Sequence, residues 1–355
     1  MRDEARPGAS STGPGDRGTS GRDEAAGAAR GPPMPRRTLV TGGAGFVGSR
    51  LCEALLEAGD EVVCVDSLIT GRTANLARVL PHPRLRFETW DVAEGLTTGP
   101  VAAATRARVD LVLHLASPAS PVDYHEHPLE TLDAGSRGTR AALELAHAHG
   151  ARLVFASTSE VYGDPQVHPQ TEDYWGNVSS VGPRSVYDEA KRFGEALTAS
   201  YRRSLGTDTG IVRIFNTYGP RMREHDGRVV PTFVRQALAG EPLTVAGDGS
   251  QTRSLCYVDD LVAALLAFAD SGHPGPMNLG NPRELTVRRI AEDVLAATGS
   301  RSPIEHVERP VHDPGLRCPD ITLARTELGW EPLVPWEQGL ERTVSWFRSL
   351  SGRAA

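Results

Sequence analysis

The chain contains 355 residues, of which 39% are hydrophobic and 23% charged, enough to bury one large core or two moderate ones. Its 45 acidic and 38 basic side chains give a formal net charge of −7. That charge argues against general binding to nucleic acids or anionic membranes, because both require a basic protein surface. We therefore expect no nucleic-acid partner and no membrane partner, and an anionic ligand must be bound by local arginines.

The cysteines give no sign of a metal site or of disulfides. Cys52, Cys64, Cys256 and Cys318 include no CxxC pair and no metal-like spacing with histidine, so we expect no metal and no disulfide framework. A reducing cytoplasm is the simplest location for such a chain. No apolar run approaches the roughly 18 residues that a membrane span needs, and the N-terminus lacks the apolar region of a signal peptide.

The chain divides into a polar N-terminal segment and a region of alternating strands and helices. Residues 1–33 contain no Leu, Ile, Val, Phe, Trp or Tyr, so we expect residues 1–35 to form a disordered tail. Short apolar runs then predict strands buried on both faces, at 36–41, 61–66, 85–90, 110–116, 151–157 and 209–215. Apolar residues at helical spacing predict helices at 46–58, 126–149 and 187–205. This alternation predicts an α/β, doubly wound parallel sheet of the Rossmann type over residues 36–215.

The second half is less regular. Its predicted helices lie near 229–239, 258–270, 286–298 and 336–349, while Pro-rich stretches at 118–121 and 274–282 predict loops. Ligands of doubly wound sheets bind beyond the carboxyl ends of the strands. We therefore expect residues 216–350 to form mainly a smaller C-terminal substrate-binding lobe, interleaved with the first domain.

A glycine-rich turn predicts a dinucleotide site. In TGGAGFVG, between the first strand and the first helix, Gly42, Gly45 and Gly48 have the spacing that permits a tight turn and close approach of the backbone to a pyrophosphate. Asp66 ends the second strand, where a carboxylate binds adenosine ribose hydroxyls and repels a 2′-phosphate, so NAD is favoured over NADP. Asp91 follows the third strand and either faces the adenine or is a solvated loop acid. The remaining residues expected to contact NAD are Phe46, Val47, Val92 and Leu115.

A tyrosine and a lysine predict the catalytic pair. Of 38 basic residues 37 are arginine, and the one lysine, Lys191, lies four residues after Tyr187, on the same face of a predicted helix. A chain so poor in lysine is expected to keep one where arginine cannot replace it. We expect the ammonium to lower the pKa of the phenol towards neutrality, so that Tyr187 acts as a general base, and to hold the nicotinamide ribose.

Together these motifs resemble the extended short-chain dehydrogenase/reductase family. The strings that carry the resemblance are TGGAGFVGS, HLASPASP (114–121), ASTSEVYGDP (156–165) and YDEAK (187–191). Further strings over residues 36–350 resemble the UDP-glucuronate decarboxylases of that family: HPQTEDYWG (168–176), RIFNTYGPRM (213–222), DGRVV (226–230), GDGSQTRSLCYVDDL (247–261), NLGNP (278–282) and LGWEP (328–332).

The resemblance implies roles for residues that the pattern alone does not single out. Thr158 occupies the catalytic Ser/Thr position, Glu160 lies beside the sugar, and Arg317 lies near the substrate carboxylate. The residues implied in contact with UDP or its sugar are Tyr124, Ser159, Asn216, Arg221 and Arg253. The sequence departs from the family at Gly135, where many members carry asparagine, and at Cys318, where a basic residue is expected.

The implied reaction is decarboxylation of UDP-glucuronate to UDP-xylose through oxidation of C4 by bound NAD, loss of carbon dioxide and re-reduction. A nucleotide-sugar 4-epimerase is the nearest alternative. A 4,6-dehydratase fits less well, since Ser159 and Glu160 follow Thr158 where that enzyme has an Asp-Glu pair. A catalytically silent NAD-binding protein is disfavoured by intact Thr158, Tyr187 and Lys191. Related enzymes dimerise through the helices at 126–149 and 187–205, so we expect a homodimer.

Overall fold

The structure, a computed structural model, describes residues 35–308 and 316–351. Seven of the strands in this part of the chain form a central parallel sheet, and the others form short two-stranded pairs. The strands are β1 (Arg37–Thr41), β2 (Glu61–Asp66), β3 (Leu85–Thr89), β4 (Leu111–His114), β5 (Arg152–Thr158), β6 (Thr209–Ile214), β7 (Thr217–Tyr218), β8 (Leu243–Ala246), β9 (Thr252–Ser254), β10 (Cys256–Tyr257), β11 (Met277–Leu279), β12 (Glu284–Thr286) and β13 (Ile304–Val307). The tail expected at 1–35 lies, apart from Pro35, outside the described residues.

Along the chain, the α-helices lie between these strands or after the last of them. They are α1 (Phe46–Glu57), α2 (Gly99–Thr105), α3 (Pro121–Glu126), α4 (Pro128–Asp133), α5 (Thr139–His149), α6 (Ser185–Leu205), α7 (Val229–Ala239), α8 (Val258–Ser271), α9 (Val287–Thr298), α10 (Thr322–Leu328) and α11 (Trp336–Ser351). No helix within the described ranges is long and apolar enough to cross a membrane.

The sheet has the order β11-β6-β5-β4-β1-β2-β3, and each neighbouring pair is parallel. The chain runs from β1 outward through β2 and β3, then returns to the other side of β1 with β4. This reversal opens a crevice at the carboxyl ends of β1 and β4, where doubly wound sheets bind their ligands. The predicted α/β fold class is therefore confirmed.

Both faces of the sheet are buried because successive strand residues point to opposite sides. In β1, Val40 belongs to the core formed with α1 and α8, whereas Leu39 belongs to the core formed with α2 and α5. The strand β3 at the sheet edge is an exception to the expected burial, since its residues are half-buried or exposed.

One prediction of local structure was wrong, and another was right in extent but missed a local feature. The Pro-rich stretch 274–282 was expected to be a loop, but its Met277–Leu279 forms β11 and pairs with β6, extending the main sheet. Three apolar residues between proline and glycine are too short for a periodic signal, and only the pairing with a distant strand makes them a strand. The helix expected at 126–149 is divided, with a π-helical turn at Ala134–Gly138 between α4 and α5.

Gly135 lies in that π-helical turn and explains one departure from the family. A Cβ atom at this position would come within 2.7 Å of the Ala190 Cβ and 3.0 Å of the Ala190 carbonyl oxygen. The turn therefore packs directly on α6, one residue before Lys191. An asparagine side chain has no space here unless the two helices move apart.

The second half of the chain packs around a core that continues from the sheet. The cluster containing Val40 and the apolar face of α1 extends through buried side chains of α7, α8, α9 and α11. The strand β11 likewise places residues of the second half in the main sheet. The boundary between a nucleotide-binding domain and a substrate lobe at residue 215 stays a prediction.

Candidate active site

A cavity of about 550 Å³ lies at the carboxyl ends of the strands, a size typical of small-molecule sites. The structure brings every residue of the predicted site to this one cavity. They are Gly42, Gly45, Phe46, Val47, Gly48, Asp66, Asp91, Val92, Leu115, Tyr124, Thr158, Ser159, Glu160, Tyr187, Lys191, Asn216, Arg221, Arg253 and Arg317.

The glycine turn forms one end of the cavity. Gly42 has φ +71°, and a Cβ there would lie 2.9 Å from the Ala116 amide nitrogen. A Cβ on Gly48 would lie 2.1 Å from the Gly42 carbonyl oxygen, so the turn packs against α1 only with glycine at that position. The N-cap residue Gly45 provides no side-chain cap, and the first turn of α1 carries no acidic residue. The first amides of α1 therefore remain available for a pyrophosphate, which fits the dinucleotide that the turn predicts.

The two predicted acids lie beyond this turn. Asp66 is buried and accepts hydrogen bonds from the Ala44 amide at 2.9 Å and the Leu68 amide at 2.8 Å. Burial raises the pKa of the Asp66 carboxyl, while these amides act in the opposite direction. Asp91 accepts from the Ala93 amide at 2.9 Å and so caps a short 3₁₀ turn. Both residues have the structural role of fixing a loop in addition to lining the cavity.

Three side chains from β5 and α6 form the centre of the cavity. The Thr158 hydroxyl, at the end of β5, lies within hydrogen-bonding reach of the Tyr187 phenol in the first turn of α6. The Lys191 ammonium, one turn further along α6, donates to the Ala156 carbonyl at 2.8 Å and lies 5.8 Å from the centre of the Tyr187 ring. The four-residue spacing thus places both groups on one face, as predicted.

The pKa expected for Tyr187 was wrong in direction for this structure. Burial raises the pKa of the phenol above its ordinary value, and the Thr158 hydrogen bond only partly opposes this. Burial also lowers the pKa of Lys191 to about 8. The sequence argument considered the charge of the ammonium but not the desolvation of both groups, which is the larger effect here. The ammonium also lies beside the ring and donates to Ala156, so it is not directed at the phenol oxygen.

A glutamate held between two arginines lies beside this centre. Glu160 forms ion pairs with Arg317 through one carboxylate oxygen and with Arg184 through the other. Arg317 is buried and also donates to the Gly163 carbonyl at 2.8 Å. Burial alone would raise the pKa of Glu160, but the two guanidinium groups outweigh it and the pKa lies below its ordinary value. Glu160 is therefore a carboxylate in the resting site.

Two further groups surround Tyr187. The ring of Tyr124 stacks on it, with centroids 5.3 Å apart and planes 6° apart, and burial raises the pKa of Tyr124 to about 12. Asp188 is buried, and burial followed by the charge of Glu160 raises its pKa to about 7. The Tyr124 hydroxyl and one Asp188 oxygen have no hydrogen-bond partner among the described residues.

Three of the predicted UDP contacts, Arg221, Arg253 and Asn216, line the same cavity, and each already has a partner in the fold. Arg221 has φ +77° and forms an ion pair with Glu53 of α1, at 2.5 Å between Nη2 and Oε1. Arg253, on β9, donates to the Thr252 carbonyl at 2.8 Å. The backbone of Asn216 is fixed, because its main-chain carbonyl oxygen accepts a hydrogen bond from the Cys256 amide at 2.9 Å.

Comparison with known proteins places this site in a family. Residues 38–280 match the model of the NAD dependent epimerase/dehydratase family. The chain belongs to this family. It is 47% identical over 312 residues to UDP-glucuronic acid decarboxylase 1 of Danio rerio, a match covering 88% of this chain and 72% of that protein. The match to UDP-glucuronic acid decarboxylase 6 of Arabidopsis thaliana is 46% over 330 residues, covering 89% of this chain and 94% of the relative.

A solved structure with the same fold is a dTDP-glucose 4,6-dehydratase of Streptomyces venezuelae with NAD bound. It is 32% identical, has a TM-score of 0.79, and the match covers 89% of this chain and 98% of that one. The NAD cofactor inferred from the glycine turn agrees with the family, and the resemblance to UDP-glucuronate decarboxylases is confirmed.

Sequence reasoning missed two residues that line the cavity, Arg184 and Arg228, and one buried residue next to it, Asp188. Arg184 pairs with Glu160, and the charges of both act on Asp188. Arg228 donates to the Ala119 carbonyl at 2.9 Å, and its charge acts on Tyr187. Arg184 precedes Tyr187 by three residues, so helical spacing alone could have placed it beside the tyrosine. Its signal was hidden because arginine is so common in this chain.

Proposed function

We propose that this protein decarboxylates UDP-glucuronate to UDP-xylose. The observation that carries the proposal is the pair of guanidinium groups, Arg184 and Arg317, that converge on the Glu160 carboxylate beside Thr158 and Tyr187. Arginines suit a carboxylate because their paired N–H groups match its two oxygens. The same side chains can hold the carboxylate of a uronic acid next to the group that takes a proton from its C4 hydroxyl.

The residues of the glycine turn and the end of β2 would hold NAD. The open amides of α1 suit its pyrophosphate, and Asp66 and Lys191 lie where they can accept from and donate to its riboses. When bound, NAD supplies the acceptor for the hydride of C4 and the donor that restores it, so the cofactor is unchanged overall.

The proton of the C4 hydroxyl is removed at the centre formed by Tyr187, Thr158 and Lys191. Tyr187 acts in its phenolate form and takes this proton as C4 becomes a ketone. The positive charge of Lys191, 5.8 Å from the centre of the ring, opposes part of the effect of burial on that phenolate. With a ketone at C4, the carboxylate on C5 is that of a β-keto acid. The bond from C5 to the carboxylate carbon breaks, carbon dioxide leaves, and the electron pair moves into the C4 oxygen as an enolate. Thr158 and Tyr187 stabilise that oxygen by hydrogen bonds.

The arginines and Glu160 act on the carboxylate and on C5. Arg317 and Arg184 orient the carboxylate out of the plane of the forming ketone, so that the breaking bond overlaps its π-system. Glu160 is ionised between them and therefore accepts a hydrogen bond from a water more readily than it donates a proton. Such a water delivers a proton to C5 before C4 is reduced again. The hydroxide that remains takes up a proton from solvent, so the reaction consumes one proton overall.

The UDP moiety would lie against the remaining predicted contacts that line the cavity. Arg253 and Arg221 are the cations for the diphosphate, and Asn216, Ser159 and Tyr124 complete the contacts to nucleotide and sugar. Arg221 already pairs with Glu53, so its contribution to the diphosphate requires sharing that charge.

Product analysis tests the proposal. The purified protein is incubated with UDP-glucuronate and NAD, and the products are separated and weighed by mass spectrometry. We expect UDP-xylose with release of one carbon dioxide. UDP-galacturonate as the main product would establish a 4-epimerase instead, and NAD binding without turnover would establish a silent binding protein.

We also propose that the protein is a homodimer, formed by the helices that carry the site. We propose the cytoplasm as its location. The helices α4 and α6 pack side by side and expose Leu129, Leu132 and Phe193, which are 71%, 40% and 48% exposed. Such apolar side chains on adjacent helices favour a second copy as their partner. Light scattering is expected to give a dimer that Phe193→Asp converts to a monomer. Leu333→Asp changes a leucine that is 78% exposed and lies outside α4 and α6, and it should leave the dimer intact.

A further inference from the structure

Three side chains with metal-binding atoms meet outside the cavity. They come from distant segments: His168 from the loop that follows β5, Glu284 from the start of β12, and Cys318 from the residue after Arg317. His168 Nε2 lies 3.0 Å from Glu284 Oε2, and the ligand atoms of all three lie within 4.8 Å of one another. None of the three lines the active-site cavity.

The backbone around this group is held by hydrogen bonds of the fold. The Gln170 amide donates to the Cys318 carbonyl at 2.9 Å, and the Gln170 side chain accepts from the Cys318 amide at 2.9 Å. The backbone of Glu284, the third residue of the group, is fixed because β12 pairs with β9. The three segments therefore keep their separation without needing a ligand to draw them together.

We propose that His168, Glu284 and Cys318 form a binding site for Zn²⁺, with a water as the fourth ligand. Imidazole nitrogen, carboxylate oxygen and thiolate sulfur are the donors that zinc prefers, at about 2.0–2.3 Å in tetrahedral geometry. That geometry separates neighbouring donor atoms by about 3.3–3.8 Å, so shifts of about 1 Å complete the site. The carboxylate and the thiolate together carry two negative charges, which neutralise the ion.

Access and chemistry both suit an ion entering from solvent. The side chains of His168 and Glu284 are 34% and 29% exposed, whereas Cys318 is buried. Without a metal, His168 pairs with Glu284, and the Cys318 thiol donates to the Pro282 carbonyl at 3.3 Å between sulfur and oxygen. Zinc would replace both contacts. Because only the deprotonated thiol ligates zinc, binding is expected to release a proton and to strengthen as pH rises.

The site is structural, since it lies outside the cavity. It would join the 168–170 segment, β12 and the residue next to Arg317 into one unit. The sequence predicted no metal site because 116 residues separate His168 from Glu284 and no local motif marks them. Cys318, which stands where relatives are expected to have a basic residue, supplies the one soft ligand.

Metal binding to the intact protein tests the proposal. The full chain, stripped with a chelator and reduced, is titrated with Co²⁺ and then Zn²⁺. We expect one metal per chain, a near-ultraviolet thiolate-to-cobalt band that zinc abolishes, and a higher melting temperature with zinc. Cys318→Ser should remove the band, and His168→Gln should weaken zinc binding at least about a hundredfold. Cys256→Ser, which alters another buried thiol, should leave both unchanged.

Each variant is checked by circular dichroism before titration, and His168→Gln, which changes a partly exposed side chain, serves if Cys318→Ser does not fold. Absence of the cobalt band in the folded wild-type protein would overturn the proposal. Equal zinc content in wild type, His168→Gln and Cys318→Ser would also overturn it, because the metal would then be bound elsewhere.

Discussion

Replacing Arg317 by methionine is the sharpest test of the decarboxylation mechanism. Methionine keeps much of the length of the side chain but removes its charge and its hydrogen bonds to Glu160 and to the Gly163 carbonyl. We expect the variant to bind NAD normally, because Arg317 contacts the substrate end of the site. Decarboxylation should fail, because the carboxylate is no longer held at the angle at which its bond breaks.

The expected magnitude follows from the burial of the ion pair. The Arg317 side chain is 5% exposed and that of Glu160 is 14% exposed, so solvent screens their interaction little. Positioning and charge stabilisation at such a site are worth about 3–4 kcal/mol, which lowers kcat/KM about 10²- to 10³-fold. Glu160 keeps Arg184 as a partner, so the loss of folding free energy should be smaller, about 1–3 kcal/mol.

The assay separates these two effects. Carbon dioxide and UDP-xylose are measured for wild type, Arg317→Met and the double variant Arg317→Met/Glu160→Gln, and each is melted by circular dichroism. Glu160→Gln also leaves the buried Arg184 guanidinium without its ion-pair partner, so the double variant should lose further stability and regain no activity. Arg283→Met, which removes an exposed arginine paired with Glu337, should behave as wild type. Turnover by Arg317→Met within threefold of wild type would refute the role given to this arginine.

Three further predictions concern α6. Tyr187→Phe removes the phenol and should abolish C4 oxidation while NAD and UDP still bind; near-normal turnover would exclude Tyr187 as the base. Glu195 raises the pKa of Lys191 against the effect of burial, so Glu195→Gln should shift the alkaline limb of the pH–rate profile to lower pH, and an unchanged limb would contradict this. The folded pKa of Asp188 is about 7, above its unfolded value of 3.8. The folded state therefore binds more protons between these values, and stability falls as pH rises through them. Asp188→Asn should abolish that fall, which chemical denaturation between pH 4 and 8 measures.

The sequence was most informative where one local signal was sufficient. The helix predicted at 229–239 is observed as Val229–Ala239, and the four-residue spacing of Tyr187 and Lys191 was enough to place both on one face. It failed where the outcome depended on distant packing. Met277–Leu279 is a strand only because β6 pairs with it.

The direction of the Tyr187 pKa failed for a related reason. A charged neighbour can be identified from spacing along a helix, but desolvation depends on every element that covers the residue. Arg184 shows the limit of composition in the same way, because its ion pair with Glu160 is visible only once β5 and α6 are brought together.

The use of a single lysine follows from this electrostatic environment. Burial lowers the pKa of Lys191 to about 8, so an ammonium in this interior is close to losing its proton. Burial also works against the charge of Arg184, yet the pairing with Glu160 outweighs it and keeps the pKa of that guanidinium above its ordinary value. In this buried site, arginine therefore provides the positive charges that stay protonated. Lysine provides the one cation that can lose its proton near neutral pH. This explains how a chain with a net charge of −7 can build a cavity for an anionic nucleotide sugar, lined by Arg184, Arg221, Arg223, Arg228, Arg253 and Arg317.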